Sequence, residues 1–278
     1  MKVLLTGASS YLGARLFWDL RKHHDIVGTF SSHQLCKDFI HLDATKRQEV
    51  RRVVNDIHPD IIIHAANNAS AKWCEANPQK AIAVNESATQ YLVDEAKNIG
   101  ARMLYVSSFS ADDPSTVYGK TKRASEAIVK NMGQEYSIIR PSLIIGMSPN
   151  QVNDRPFNRI LNNLDKKTPA VYDTSWKFQP TYVRHISEVI LAVIKKNYWN
   201  RTIEVAVSKL VSRFDIAQDI LSHFGIRVTA IDAHDSSLVM THTLSSLEAL
   251  GLPTYDYEKM IKLIVDEIRH RENFVLSG

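Results

Sequence analysis

Short, continuous apolar segments alternate with amphipathic helical segments through the first half of the chain, and this alternation limits the fold more than any other feature. The predicted strands cover residues 3–5, 26–30, 61–63, 103–106 and 137–140. Strands that are apolar on both faces belong to parallel sheets with helices on both sides. Since crossovers between parallel strands are right-handed, we predict an α/β fold with a Rossmann-type, doubly wound parallel sheet.

The second half of the chain is less regular. Four prolines interrupt residues 146–180, where the apolar spacing predicts a single helix. We therefore expect residues 1–145 to form the first domain, with residues 176–207 returning to it. Residues 146–175 and 208–278 are expected to form a smaller C-terminal lobe.

A glycine-containing turn joins the first predicted strand to the first predicted helix. It reads Thr6-Gly7-Ala8-Ser9-Ser10-Tyr11-Leu12-Gly13, with Gly7 and Gly13 at the outer glycine positions of a dinucleotide-binding turn and Ser10 at the middle one. Glycines let the backbone approach a pyrophosphate, and the helix N-terminus offers free N–H groups and a partial positive charge. We predict a dinucleotide site here; a tight turn without a ligand is the alternative.

The end of the second predicted strand bears on the choice of nicotinamide cofactor. It reads Thr29-Phe30-Ser31-Ser32-His33 and lacks the carboxylate that holds the ribose hydroxyls of NAD(H) and repels a 2′-phosphate. Ser31 and Ser32 are able to donate hydrogen bonds to a 2′-phosphate. The sequence therefore favours NADP(H) over NAD(H), with a polar loop that contacts nothing as the alternative.

Tyr118 and Lys122 are four residues apart in a predicted helix, so both project from one face. A free tyrosine has a pKa near 10, and a nearby ammonium group lowers that pKa by roughly one to three units. We therefore expect Lys122 to make Tyr118 a better acid–base group. Ser108 follows a strand at the edge where ligands bind in such sheets, so we predict that it holds a carbonyl oxygen; Ser107 is expected to cap its own turn.

Composition excludes several classes of protein. The chain has 278 residues and a formal net charge of +4, without a basic run, so nucleic acid is not expected as a partner. The N-terminal apolar run is too short for a signal peptide, and no stretch of about 18 apolar residues predicts a membrane span. Two cysteines without ligand spacing indicate a reduced, cytoplasmic setting. The eleven histidines show no metal-ligand pattern, so we predict no metal site.

Taken in order, these motifs are similar to those of the extended short-chain dehydrogenases/reductases, and most similar to the dTDP-4-dehydrorhamnose reductase branch. The segments that carry the resemblance are Thr6-Gly7 with Gly13, Leu42-Asp43-Ala44, Pro59 to Ala66, Cys74-Glu75 with Pro78, Ala81 and Asn85, Val106-Ser107-Ser108, Tyr118 to Lys122 with Glu126, Arg140-Pro141-Ser142, and Gln179-Pro180-Thr181. The resemblance covers residues 1–190 well and the C-terminal lobe loosely.

The resemblance implies a role for each matching residue. Residues 7–13 would bind the cofactor pyrophosphate, Asp43 and Ala44 would flank the adenine, and Ala65, Ala66 and Asn67 would line the ribose and nicotinamide. The catalytic residues would be Ser108, which polarises the substrate carbonyl, Tyr118, which donates the proton, and Lys122, which holds the nicotinamide ribose. For Asn85, a proton-relay or structural role and simple helix packing are both open.

Four departures from the family pattern concern the substrate. Ser108 and Tyr118 are 118 − 108 = 10 residues apart, which is a shorter loop than the family has. Phe109 replaces an aspartate, Leu143 a tryptophan, and Lys72 an acidic residue. These changes leave the identity of the sugar open.

The sequence supports one leading function and two alternatives. The leading hypothesis is an NADP(H)-dependent reductase of a keto group on a nucleotide-activated sugar, and a homodimer is compatible with it. A sugar-nucleotide epimerase or dehydratase with bound NAD is the first alternative. The second is a non-catalytic, NADP(H)-binding regulatory subunit. Lys177 and Arg184 are candidates for contact with a substrate diphosphate.

Overall fold

A seven-stranded parallel sheet forms the centre of the protein in a computed structural model, which describes residues 1–243 and 245–276. Its strand order is β11-β6-β5-β4-β1-β2-β3. The strands of the described residues are Lys2–Thr6 (β1), Asp25–Phe30 (β2), Ile40–His41 (β3), Ile61–His64 (β4), Arg102–Val106 (β5), Tyr136–Pro141 (β6), Ile144–Ile145 (β7), Ala170–Asp173 (β8), Lys177–Phe178 (β9), Thr181–Tyr182 (β10), Arg201–Val205 (β11), Val211–Ser212 (β12) and Val228–Ile231 (β13). The predicted Rossmann-type α/β fold is confirmed.

Helices follow most strands of the central sheet. The α-helices are Tyr11–Leu20 (α1), Arg47–Ile57 (α2), Ala71–Ala76 (α3), Pro78–Ala81 (α4), Ala88–Ile99 (α5), Val117–Lys130 (α6), Pro156–Lys166 (α7), Val183–Lys196 (α8), Arg213–Leu221 (α9), Ser245–Ala249 (α10) and Tyr257–Arg269 (α11). A π-helical turn covers Ile82–Ser87, and short 3₁₀ helices cover Phe109–Asp112, Ser222–Phe224 and Arg271–Asn273.

Each strand of the sheet centre contributes side chains to both faces. Leu5 and Ile63 pack in a core with α1 and α8, whereas Leu4 and Ile62 pack in a core on the other side with α2 and α5. Because successive side chains of a strand point to opposite faces, both faces of β1 and β4 are apolar. This explains the continuous apolar runs in the sequence.

The apolar spacing of Ala81, Ile82, Ala88, Leu92 and Ala96 predicts one long helix that ends at Gly100, and the structure differs from this prediction. The helical region begins at Pro78, widens into the π-helical turn Ile82–Ser87 and continues as α5 to Ile99. Gly100 follows with a left-handed φ of 71°, as expected for a helix end. The π turn holds Asn85, and such turns are frequent at functional sites.

A second core lies beyond the central sheet. It combines side chains of α7, α9 and α11 with a two-stranded parallel sheet of β8 and β13. The strand β11 pairs instead with β6 in the central sheet. The strands β8 and β9 were not predicted, because each is short and flanked by proline-containing loops.

None of the described helices is long and apolar enough to cross a membrane.

Candidate active site

Two adjoining cavities open at the carboxyl ends of β1, β4 and β5. The sheet order reverses between β1 and β4, which is where ligands bind in open α/β sheets. The first cavity measures about 240 Å³ and is lined by Tyr118 and Ser108; we call it the tyrosine cavity. The second measures about 460 Å³ and is lined by Gly7 and Ser31; we call it the glycine-turn cavity.

The glycine turn leaves space that side chains would fill. Gly7 has a φ of +72°, and a Cβ atom on it would lie 2.8 Å from the Cα atom of Ala66. Gly13 lies inside the turn, where a Cβ atom would overlap the Gly7 carbonyl. The Ser10 hydroxyl accepts a hydrogen bond from the Gly13 N–H at 3.0 Å and caps α1. This bare turn at a helix N-terminus fits a pyrophosphate.

Most predicted cofactor-binding residues line these cavities. The glycine-turn cavity is lined by Gly7, Ser9, Ser10, Ser31, Ser32, Asp43, Ala44, Ala66 and Asn67. The tyrosine cavity is lined by Ser10, Tyr11, Leu12, Ala65, Asn67, Ser108 and Tyr118. Two predicted residues, Gly13 and Lys122, line neither cavity.

The two serines after β5 have different environments. The Ser107 hydroxyl is buried and donates to the Glu126 carboxylate at 2.5 Å. The Ser108 oxygen accepts a hydrogen bond from the Ser110 N–H at 3.1 Å, at the start of the 3₁₀ helix. Because that contact uses an oxygen lone pair, the Ser108 O–H remains able to donate to a carbonyl in the tyrosine cavity.

The pKa of Tyr118 is not lowered, contrary to the expectation from its spacing with Lys122. Burial raises the pKa of Tyr118 to about 12, while the Ser108 hydroxyl and the Arg155 guanidinium oppose that rise. A buried phenol loses the water that would stabilise its anion. At neutral pH the side chain is therefore a protonated phenol, which is the form able to donate a proton.

Lys122 faces the sheet. Its fully buried ammonium donates to the Tyr105 hydroxyl at 2.9 Å and to the Val106 carbonyl at 2.8 Å. Burial lowers the pKa of Lys122 to about 7, against the opposing effect of the Glu126 carboxylate. Both Tyr118 and Lys122 are buried on α6, as the helical spacing predicts, but the amine bonds to β5 and its charge is not among the causes that shift the pKa of Tyr118.

Asn85 joins three elements around the site. Its side-chain oxygen accepts from the Asn68 N–H at 2.8 Å, and its side-chain nitrogen donates to the Asn68 carbonyl and to the Thr121 hydroxyl, both at 3.2 Å. These bonds attach the loop after β4 to α6. These contacts favour a structural role for Asn85 over a role as a proton relay.

A buried chain of polar side chains lies beneath the glycine turn. The His64 ring lies 2.7 Å from the Thr6 hydroxyl and 3.1 Å from the Thr89 hydroxyl. Burial lowers the pKa of His64 to about 3, and the nearby Lys122 acts in the same direction. The imidazole is therefore neutral at physiological pH, and both of its nitrogens have partners.

Two of the residues that depart from the family pattern, Phe109 and Leu143, line the tyrosine cavity. Phe109 is buried against the His242 ring, with 3.9 Å between ring centroids. Leu143, Trp176 and Met240 line the cavity. Met240, from a segment that carries no sequence motif, therefore forms part of the cavity wall.

Sequence reasoning also missed Arg155, which lines both cavities. No motif marks this residue. Arg184, an expected diphosphate contact, instead pairs with Glu188 at 2.8 Å, and neither it nor Lys177 lines the two cavities.

The described residues contain no group of three or more side chains that could hold a metal ion. Cys36 and Cys74 are buried and free.

Comparisons with known proteins relate most of the chain to one family. A family model described as RmlD substrate binding domain matches residues 1–246. Methionine adenosyltransferase 2 subunit beta of Xenopus tropicalis is 23% identical over 217 residues; the match covers 73% of this chain but only 65% of that protein's length. The dTDP-4-dehydrorhamnose reductase of Aggregatibacter actinomycetemcomitans is 24% identical over 302 residues and covers 95% of this chain and 98% of that one.

The fold is also found in a solved structure. A crystal structure of dTDP-4-dehydrorhamnose reductase from Bacillus anthracis, in complex with NADP, has a TM-score of 0.80 and 22% identity. The superposition covers 96% of this chain and 98% of that chain. At this level of identity the likeness concerns the fold.

Proposed function

The chain belongs to the RmlD substrate binding domain family, and from this premise we propose that it is an NADP(H)-dependent reductase of a keto group on a nucleotide-activated sugar. One observation carries the proposal: Ser108 and Tyr118 line a cavity that adjoins the glycine-turn cavity at the switch point of the sheet. The names of the relatives support the substrate class, since one is a dTDP-4-dehydrorhamnose reductase matched over 95% of this chain.

The proposed cofactor site is the glycine-turn cavity. Gly7, Ser9 and Ser10 would hold the diphosphate, and Asp43 and Ala44 would flank the adenine. Ser31 and Ser32 are exposed at the cavity wall and would donate hydrogen bonds to a 2′-phosphate. Asp43 is already engaged by the Thr45 hydroxyl at 2.6 Å, which orients its carboxylate in the turn. NADP(H) is therefore favoured over NAD(H).

The reaction requires a hydride and a proton. The reduced nicotinamide, when bound, would supply the hydride to the carbonyl carbon. Tyr118 donates its phenolic proton to the carbonyl oxygen and recovers a proton from solvent afterwards. Its pKa of about 12 keeps it in the donor form. The Ser108 hydroxyl holds the same oxygen, which stabilises the negative charge that develops there.

Lys122 has a positioning role in the proposal. Its amine bonds to the Tyr105 hydroxyl and to the carbonyl of Val106, a residue that lines the tyrosine cavity. Lys122 itself lines neither cavity, so the contact with the nicotinamide ribose that the family resemblance implies would require the amine to move when the cofactor binds.

We also propose that one part of the chain binds the cofactor and the other binds the substrate. Residues 1–145, with 176–207, would form the dinucleotide-binding domain, and residues 146–175 and 208–278 would form the substrate lobe. A homodimer and a cytoplasmic location stay predictions; light scattering of the purified protein tests the first.

The test of the function combines binding with turnover. NADPH and NADH are titrated by fluorescence, and keto-sugar nucleotides are then screened by the absorbance of NADPH. Tyr118→Phe should lose turnover by a factor of about 10² to 10⁴ and retain NADPH affinity. Full turnover in that variant would remove Tyr118 from the mechanism.

A regulatory subunit is the second candidate, because one relative is named as a subunit of another enzyme. Binding of NADPH by the wild type without oxidation across the whole substrate panel would favour it. Stoichiometric NAD in the purified protein would favour an epimerase or dehydratase instead.

A further inference from the structure

Arg155 occupies the junction of the two cavities. Its side chain lines the tyrosine cavity together with Tyr118 and Ser10, and it lines the glycine-turn cavity together with Gly7 and Ser9. Among the residues that the structure describes, it is the one charged side chain that lines the tyrosine cavity. Arg155 shares this position with Ser10 and Asn67, which also line both cavities, so a ligand that extends from one cavity into the other would lie near its side chain.

The guanidinium is not neutralised by the protein. The neighbouring acid, Asp154, forms an ion pair with Arg159, which donates two hydrogen bonds to it at 2.6 and 2.8 Å. Arg155 has no carboxylate within ion-pair distance in the described part of the chain, although it is partly buried. Its positive charge is therefore available to an anion in the cavities.

The backbone that carries Arg155 is anchored to the glycine turn. Residues 146–155, here called the bridge segment, run from β7 to the start of α7. The Tyr11 hydroxyl donates to the Gly146 carbonyl, and the Ser148 hydroxyl donates to the Tyr11 carbonyl at 2.6 Å. The Asn150 amide donates to the Ser9 carbonyl at 2.6 Å.

The far end of the bridge segment is fixed as well. The buried Asn158 side chain donates to the Asn153 carbonyl at 2.8 Å and to the Asn150 carbonyl at 3.3 Å. Arg155 itself precedes Pro156, the first residue of α7. These hydrogen bonds thus fix the backbone that leads to Arg155 relative to the glycine turn.

We propose that Arg155 is a diphosphate-binding residue, which contacts phosphate oxygens across the cavity from the glycine turn. The guanidinium presents a planar fork of donors that matches two phosphate oxygens, and the N-terminus of α1 would contact the same group from the other side. Two sources of a diphosphate meet at this junction, the cofactor and the nucleotide sugar. This proposal rests on the proposed function for both ligands.

The experiment measures binding rather than turnover. Wild-type protein, Arg155→Met, Arg155→Lys and Lys166→Met are titrated with NADPH, NADH, dTDP and UDP. Lys166 is an exposed cation at the other end of α7 and lines none of the cavities named above, so its variant is the matched control. Thermal melting of each variant verifies that it is folded.

The expected result is a loss of affinity of about 10- to 100-fold in Arg155→Met for at least one kind of diphosphate. Arg155→Lys should lose less, because it keeps the charge without the fork, and Lys166→Met should match the wild type. Equal losses for NADPH and NADH assign the contact to the cofactor diphosphate. A loss of affinity for dTDP and UDP assigns the contact to the diphosphate of the substrate.

Two outcomes would overturn the proposal. One is unchanged affinity of Arg155→Met for all four ligands, while the wild type binds NADPH; the proposed function would then survive and the role of Arg155 would not. The other is a loss for NADPH without any loss for NADH, because it would place the arginine on the 2′-phosphate. A wild-type protein that binds none of the four ligands would refute the proposed function as well.

Discussion

The buried amine of Lys122 makes the stability of the protein depend on pH in a defined way. The pKa of Lys122 is about 7 in the folded protein, compared with a reference value of 10.5. Below pH 7 the amine is protonated in both the folded and the unfolded chain, and it contributes no pH dependence. Between pH 7 and 10.5 the unfolded chain binds one proton more than the folded one, so stability rises with pH.

The size of this effect follows from the two pKa values. The difference 10.5 − 7, converted at about 1.4 kcal/mol per pKa unit, is about 5 kcal/mol over the whole window. Lys122→Met removes the titrating group. The free energy of unfolding of the wild type, minus that of the variant, should therefore increase by about 1.4 kcal/mol per pH unit above pH 7.

Urea unfolding of the ligand-free protein at pH 6, 7.5 and 9 measures this difference. The range ends below the pKa of free tyrosine, near 10, so that Tyr105 and Tyr118 do not contribute. Lys120→Met replaces an exposed lysine of the same helix. The free energy of unfolding of this variant should change with pH in the same way as that of the wild type. A wild-type minus Lys122→Met difference that stays constant from pH 6 to 9 would refute the reasoning. The amine would then be charged at neutral pH in the folded protein.

Two glycines of the site give further predictions. Gly7→Ala adds a Cβ atom 2.8 Å from the Ala66 Cα atom at a φ of +72°, so we expect a loss of about 1–3 kcal/mol in stability and at least tenfold weaker NADPH binding by titration. Gly100→Ala, with a φ of +71° and no atom within 4 Å of the added Cβ, is its control and should leave NADPH binding unchanged; equal binding in both variants would contradict the role of the turn. Gly119→Ala places a Cβ atom onto the Asp113 carbonyl and should lower kcat with little change in NADPH affinity, because it displaces the start of α6 that carries the phenol. Steady-state kinetics measures this, and an unchanged kcat would show that the contact can relax without moving the phenol.

Much of the fold could be predicted from local patterns. The apolar run at residues 61–63 indicated a strand buried on both faces, and Ile61–His64 is the strand next to β1. Gly100 marked the end of α5. The π-helical turn at Ile82–Ser87 was not predictable, because its one buried side chain is the polar Asn85 and gives no apolar signal.

The candidate site was predictable where a residue's role depends on its neighbours in the chain. Ser108 and Tyr118 each follow from a position at a strand end or a helix start, and the two line one cavity. Arg155 and Met240 are far apart in the chain, and their side chains come together only in the wall of that cavity. Residues that come from loops without a motif have no local signal.

By itself, the sequence determined the parallel sheet, the glycine turn and the face of α6 on which Tyr118 and Lys122 stand, since strand and helix periodicities are local properties. Only the tertiary structure decided the protonation states of these two side chains. The Lys122 amine bonds to Tyr105 and Val106 of β5, and desolvation by distant segments raises the pKa of Tyr118. Burial depends on every element that packs around a group, whereas helical spacing depends on four residues, so only folding could settle the direction of these pKa changes.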